Sequence, residues 1–182
     1  MGRIVSNFFI SLDGVVEAPD QWHFPYLDDE MGAVIGSGMQ TQKAFLLGRR
    51  LYDEWSEYWP SQDGDDGFGS YINNLPKYVL TRRPLPGAGW KNTTPVTDDH
   101  AAALRSVKEA TDGDIGMSGS ATTVRWLIAN HLLDELNLLV HPIVVATGQR
   151  LFEDTGTVPL RLESSKALSS GVLHVRYSLD HG

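Results

Sequence analysis

Apolar residues along this chain change period from block to block, and each change marks an element. Residues 4–12, IVSNFFISL, are rich in β-branched and aromatic side chains and predict a strand, stopped by the turn at Asp13-Gly14. Residues 15–27 carry Pro19, Trp22, Pro25 and Tyr26 and predict a loop with aromatic contacts. Met31, Val34, Ile35 and Met39 then share one face of a helix that begins near Asp28. Its three glycines each weaken it by roughly 1 kcal/mol relative to alanine. AFLLG, 44–48, predicts a short buried strand, and Leu51, Trp55, Tyr58 and Trp59 a helical stripe ending at Pro60. SQDGDDGFGS, 61–70, reads as a surface loop, KYVLT, 77–81, as a buried strand, and RRPLPGAG, 82–89, as a further loop.

In the second half, Trp90 to Val96 predicts a short strand. Asp98 or Asp99 can cap a helix running to about Ala110, closed by Thr111-Asp112-Gly113. DIGMSGS, 114–120, reads as a strand followed by a glycine turn, and 121–133 as a helix with Val124, Leu127, Ile128 and Leu132 on one face. DELNLLVHPIVV, 134–145, predicts a strand, with Pro142 suggesting an edge or a bulge. The period then becomes two: Leu173, Val175, Tyr177 and Leu179 alternate with His174, Arg176 and Ser178, preceded by Leu160 and Leu162 across a Ser-Ser-Gly turn. This is an antiparallel hairpin with one buried face.

Strands that alternate with helices predict an α/β fold with a mixed, mostly parallel central sheet, flanked by helices on both faces and extended by the C-terminal hairpin. The pattern holds from 1 to 182 without an internal repeat or a linker, so a single domain is expected. In such sheets ligands bind beyond the carboxyl ends of the strands.

Composition narrows the chemistry. There is no cysteine, which excludes disulfides, thiolate nucleophiles and cysteine zinc sites. The net charge of −8 argues against general nucleic-acid binding. No apolar run approaches the roughly 20 residues that span a bilayer, and the N-terminus lacks a signal-peptide cleavage site, so a cytoplasmic protein is expected. The histidines show no metal-ligand spacing, and no metal is expected.

Against that acidic background, three buried strands end in cationic or glycine-rich loops. They are Gly48-Arg49-Arg50, Thr81-Arg82-Arg83, and Gly119-Ser120-Ala121-Thr122. Two arginines at a helix start oppose the helix dipole unless an anion sits beside them. Read singly, each loop is a solvated helix start, a basic surface turn or a capped strand-to-helix turn. Read together, as neighbours on one sheet edge, they supply backbone N–H groups for a pyrophosphate and guanidinium groups for a terminal phosphate. A dinucleotide with an additional phosphate would use both. The common GxGxxG fingerprint is absent.

The succession SLDG, LLGRRLYDEW, PKYVLTRR, GMSGSATTVRWLI, DELNLLVHPIVVATGQRLF and GVLHVRY resembles the dihydrofolate reductase-like superfamily, and most of all the branch containing the reductase domain of riboflavin biosynthesis. The resemblance implies NADPH lying across the strand ends. It puts Gly48 and Arg49 at the cofactor, beside Arg50, which the reading of the residues adds. Thr81, Arg82 and Arg83 fall at the adenosine ribose and its 2′-phosphate, and Gly119, Ser120, Ala121 and Thr122 beneath the pyrophosphate. The chain departs from the branch in lacking the deaminase motifs HAE and PCxxC and a recognisable DDP-type substrate loop.

The substrate side rests on three residues. Asp13 either faces the substrate or only forms its turn. Trp22 either stacks on a flat heterocycle or anchors its loop. Asp28 either caps its helix or, with a pKa raised by an apolar pocket, protonates a reduced C=N bond. The expected function is an NADPH-dependent reductase of a small heterocycle or sugar phosphate; the alternative is a nucleotide-binding module with this fold and no turnover. A homodimer is expected, since the sheet has edges to cover and members of the branch tend to pair.

Overall fold

A computed structural model describes residues 1–62, 67–86 and 89–179. Six strands lie parallel at its centre. β1 (Arg3–Ser11) pairs with β5 (Asp114–Met117) on one side and β6 (Glu135–His141) on the other. β2 (Gln42–Gly48) joins β5, then β3 (Lys77–Leu80) and β4 (Thr93–Val96) follow in parallel. Beyond β6 the hairpin β7 (Leu160–Ala167) and β8 (Leu173–Leu179) runs antiparallel, giving the order β4-β3-β2-β5-β1-β6-β8-β7. This is the mixed, mostly parallel sheet that the alternation predicts.

Helices cover both faces because the strands bury both. Ile4, Phe8, Ile10, Leu46, Ile115 and Met117 pack against α4 (His100–Ala110) and α5 (Ala121–Ala129) through Leu104, Val124, Leu127 and Ile128. On the opposite face, Phe45, Leu47 and Val79 meet α2 (Arg49–Tyr58) and α3 (Phe68–Asn74). Phe9 and Leu139 meet α1 (Asp29–Thr41) there, around the fully buried Met31.

Several boundaries differ from expectation, each for a local reason. Within 61–70, positions 63–66 lie outside the described residues, but α3 begins at Phe68 where a loop is expected. Two asparagines and a glycine hide this helix from propensity, and tertiary contacts hold it instead. The fully buried Lys77 donates from Nζ to the carbonyls of Ile72, Asn73 and Leu75, at 2.9, 3.3 and 2.9 Å. Desolvation pulls that ammonium down to about 8. The 82–89 loop is described except at 87 and 88. Pro142 follows β6 rather than interrupting it, and β6 is an interior strand, so neither the edge nor the bulge is found there. The proline inside a strand is Pro95, on the true edge strand β4, where no inner ladder needs its N–H. The helix expected to reach 133 ends at Ala129.

Candidate functional site

β3, β2 and β5 are consecutive parallel neighbours, so their C-terminal loops lie side by side on one sheet edge. The structure therefore brings all ten cationic and glycine-loop residues of the sequence reading into one region. Gly48 ends β2 and N-caps α2; Ser120 N-caps α5, its Oγ accepting from the N–H of Thr123 at 3.4 Å. The two turns touch. A Cβ on Gly48 would collide with Thr123 Oγ1 and come within 3.4 Å of Ser120 Oγ, so only glycine lets β2 pass this close to α5. Gly119, at φ +131°, supplies a backbone conformation that side chains resist, and the Gly119–Ser120 peptide is cis. Ala121 is buried under the turn, while Thr122 is exposed at its rim, where its Oγ1 accepts from Gln149 Nε2 at 3.3 Å.

The four arginines divide into two kinds. Arg49 is a clamp. Its Nε donates to Asp53 at 2.8 Å, and its NH1 donates to Thr81 Oγ1 and to the carbonyls of Arg83 and Pro84 at 3.1, 3.2 and 3.1 Å. Thr81 is buried, and its hydroxyl donates to the Arg83 carbonyl at 2.8 Å while accepting from the Arg83 N–H, which shapes the loop. Arg50 is exposed and pairs with Glu54 at 3.2 Å and Glu17 at 3.5 Å. Arg82 and Arg83 are exposed, and neither guanidinium has a hydrogen-bond or ion-pair partner among the described residues. The clamp thus holds the loop that presents the two unpaired cations.

Elsewhere on the same edge the predicted substrate residues are engaged with the protein. Asp13 Oδ1 accepts from Ser11 Oγ at 2.7 Å and Val145 N at 3.1 Å, and Oδ2 from Ala146 N at 2.9 Å. These hydrogen bonds bring its pKa down to about 2 and tie the end of β1 to the 142–150 segment. Asp28 is the N-cap of α1: Oδ1 accepts from Met31 N at 2.8 Å, and Oδ2 from Ser169 Oγ at 3.3 Å. That backbone hydrogen bond chiefly lowers its pKa, the opposite of the raised value a proton donor at neutral pH requires. Trp22 is buried, its Nε1 donating to the Glu17 carbonyl at 3.2 Å and its ring edge-on to His141 at 5.2 Å.

Sequence reasoning asked of His23 and His141 only whether they had metal-ligand spacing, and gave neither a role. Both are buried in this aromatic region, and burial lowers both pKa values. The available signal was the strand period: it sets His141 on the same face of β6 as the buried Leu139. A cleft of about 580 Å³ runs along α5 beside Thr122, Arg125, Glu153 and Pro159, away from Trp22 and Asp28. Among the described residues no helix is long and apolar enough to cross a membrane.

Comparison with known proteins agrees with this layout. The family model of the RibD C-terminal domain matches residues 3–174. YyaP of Bacillus subtilis (strain 168), an uncharacterised protein, is 25% identical over 180 residues, covering 96% of this chain and 94% of its own. A protein attributed to riboflavin biosynthesis in Shewanella sp. PV-4 superposes with a TM-score of 0.77 at 15% identity, covering 98% of this chain and 99% of its own. Dihydrofolate reductase from Enterococcus faecalis, complexed with NADP(H) and RAB-propyl, gives 0.62 at 14% identity, with 98% and 97% covered.

Proposed function

Since this chain belongs to the family of the RibD C-terminal domain, with the dihydrofolate reductase-like fold, we propose that it is an NADPH-dependent oxidoreductase. Its substrate is a small heterocycle or sugar-phosphate derivative, as for a 5-amino-6-(5-phosphoribosylamino)uracil reductase or a dihydrofolate reductase. The observation that carries this reading is the pair Arg82 and Arg83, unpartnered beside a glycine cradle in a chain of net charge −8. When bound, NADPH supplies the hydride; the protein supplies place and charge. Gly48 lets β2 pass close against the start of α5, Gly119 turns the chain at φ +131°, and the two turns border the room this reading gives to a pyrophosphate. The N-terminus of α5 directs backbone N–H groups toward that room, with Ser120, Ala121 and Thr122 as its first residues. Arg49 fixes the Thr81 loop, and Arg82 and Arg83 bring two bidentate donors to a 2′-phosphate. Arg50 lies at the rim, already half neutralised by its two glutamates.

The test is the melting temperature with and without NADPH. A site of this kind raises it progressively with ligand concentration, as the logarithm once the site is largely filled, through binding to the folded state only. No rise at saturating NADPH refutes the reading. The second reading, a nucleotide-binding module without turnover, is favoured by one observation: Asp28 is a helix cap held ionised. It predicts the same rise with no NADPH oxidation on any heterocycle tried. We further propose a homodimer, because the outer strand β7 is exposed along most of its length and is an edge that a second copy would cover; a cytoplasmic location is proposed with it. Light scattering that reports 20.1 kDa particles would exclude the dimer.

A further inference from the structure

His141 closes β6, fully buried, at the carboxyl edge of the sheet on the face that carries α1. Its Nδ1 lies 2.8 Å from the Leu139 carbonyl, which can only accept. Nδ1 therefore carries the proton, and Nε2 of the neutral ring is an acceptor. That Nε2 is buried and has no hydrogen-bond partner among the described residues. Such an atom in a native core calls for an explanation.

Beyond the Leu139 and Ile10 backbone groups, which favour its charged form against the burial, its surroundings are rings. Phe9, Trp22, His23 and Tyr26 lie 5.8, 5.2, 6.2 and 5.5 Å from it between centroids, all at 80–88° to its plane. The one N–H donor of Trp22 is turned away, to the Glu17 carbonyl. His23 adds a second buried nitrogen without a partner, Nδ1. The titratable groups facing the pair are Tyr26 on His141 and Asp20 on His23. Burial lowers both imidazoles, and their mutual repulsion lowers His23 further while Asp20 opposes. Both rings thus stay neutral at physiological pH, and Nε2 stays an acceptor.

Three of the four rings come from residues 18–27, and that segment is attached in an unusual way. Its backbone hydrogen bonds are internal: Gln21 N to Ala18 O, Trp22 N and His23 N to Pro19 O, Tyr26 N to His23 O, and Leu27 N to Phe24 O. Among the described residues, side-chain packing binds it to the sheet, chiefly the stack of His23 on Phe9 at 4.4 Å and the edge contacts on His141. It can lift without breaking a backbone hydrogen bond to the body of the protein.

We propose that His141 is the polar anchor of the substrate pocket, reached when residues 18–27 lift from it. With that segment lifted, Nε2 accepts a hydrogen bond from a ring N–H of a planar heterocycle that takes the place of Trp22 and Tyr26. His141 is then a substrate-positioning group that acts without a charge. The identity of the occupant rests on the reductase reading above; the unpartnered acceptor does not.

The experiment uses two probes of nearly the same plane, uracil with two ring N–H groups and 1,3-dimethyluracil with none. Each is titrated into the full chain, with and without NADPH, following tryptophan fluorescence and the nitrogen resonance of His141 Nε2. Uracil should shift that resonance and bind about tenfold or more tightly than the dimethyl compound, the worth of one hydrogen bond to a buried acceptor. His141→Phe should abolish the difference, and His141→Gln, which keeps a neutral acceptor, should restore part of it. Equal binding of the two probes, an unmoved Nε2 resonance, or an undiminished preference in His141→Phe overturns the proposal. Should His141→Phe not fold, the wild-type resonance and the Gln variant decide. Protein that binds NADPH but not uracil defeats the pocket alone. Protein that takes uracil through Nε2 but not NADPH keeps the pocket and defeats the reductase reading.

Discussion

The two halves of the sheet's carboxyl edge are built on different principles. At β2, β3 and β5 the loops are locked by polar contacts: four hydrogen bonds from Arg49, the hydroxyl of Thr81, and the cap of Ser120. At β1 and β6 the covering segment is held chiefly by rings. Polar locks fix a geometry that is ready before the ligand arrives, whereas aromatic contacts are non-directional and re-form after displacement. The first half suits a ligand with invariant phosphates; the second suits a pocket that must open.

The contrast breaks most severely at Gly48. In Gly48→Val the new side chain meets Thr123 and Ser120 and must push β2 away from α5. Overpacking of this kind costs about 1–3 kcal/mol. Because it also moves the cradle, NADPH affinity should fall by more than about tenfold, or 1.4 kcal/mol. Denaturant unfolding and calorimetry check the two effects, and unchanged cofactor affinity would show that the turn does not form the cradle.

A smaller effect separates presentation from clamping. Arg82 and Arg83 touch no protein partner, so replacing both by alanine should leave stability within about 0.5 kcal/mol. The same change should lower NADPH affinity by about tenfold or more while NADH affinity stays level, since each charge-assisted hydrogen bond contributes about 1.5–3 kcal/mol. Arg49→Ala should instead weaken both cofactors together, because it loosens the loop.

The weakest effect belongs to the aromatic half and is driven by protons. His23 and His141 there, and His174 beside Asn137 on β8, are all lowered, in each case mainly by burial. Their unfolded value is about 6.5, so in acid the unfolded chain binds more protons than the folded one. Stability is then complete above about pH 6.5 and lost as pH falls toward the depressed folded values. Urea unfolding across this range should show the decline, and His141→Gln should flatten it. A flat profile in the wild type would mean that the rings are already exposed to water.

How far the sequence carried follows the same division. The β2, β3 and β5 loops were legible because each combines a buried strand with a local signal: glycine before a helix, Thr-Arg-Arg after an apolar run, Ser as a cap. Their adjacency entered as a condition that alternation allows, and the order β3-β2-β5 meets it. What could not be read was the use of each cation. Nothing in the Gly-Arg-Arg triplet says that Arg49 reaches across to the carbonyls of Arg83 and Pro84 while Arg50 bends to two glutamates. On the other half, Asp13, Trp22 and Asp28 lie at the carboxyl edge, but what each side chain bonds was not readable, with partners up to 141 positions distant. Contacts at such separation leave no local trace, which also hid His141. The helix α3 escaped because Lys77 and Trp90, outside it, hold it in place.

The central claim is that this edge recognises a dinucleotide by an additional phosphate, and the direct measurement is calorimetric titration of the wild-type protein with NADPH and NADH under identical conditions. NADPH should bind about tenfold or more tightly, the contribution of at least one charge-assisted contact from Arg82 or Arg83. Equal affinities for the two cofactors would contradict the account.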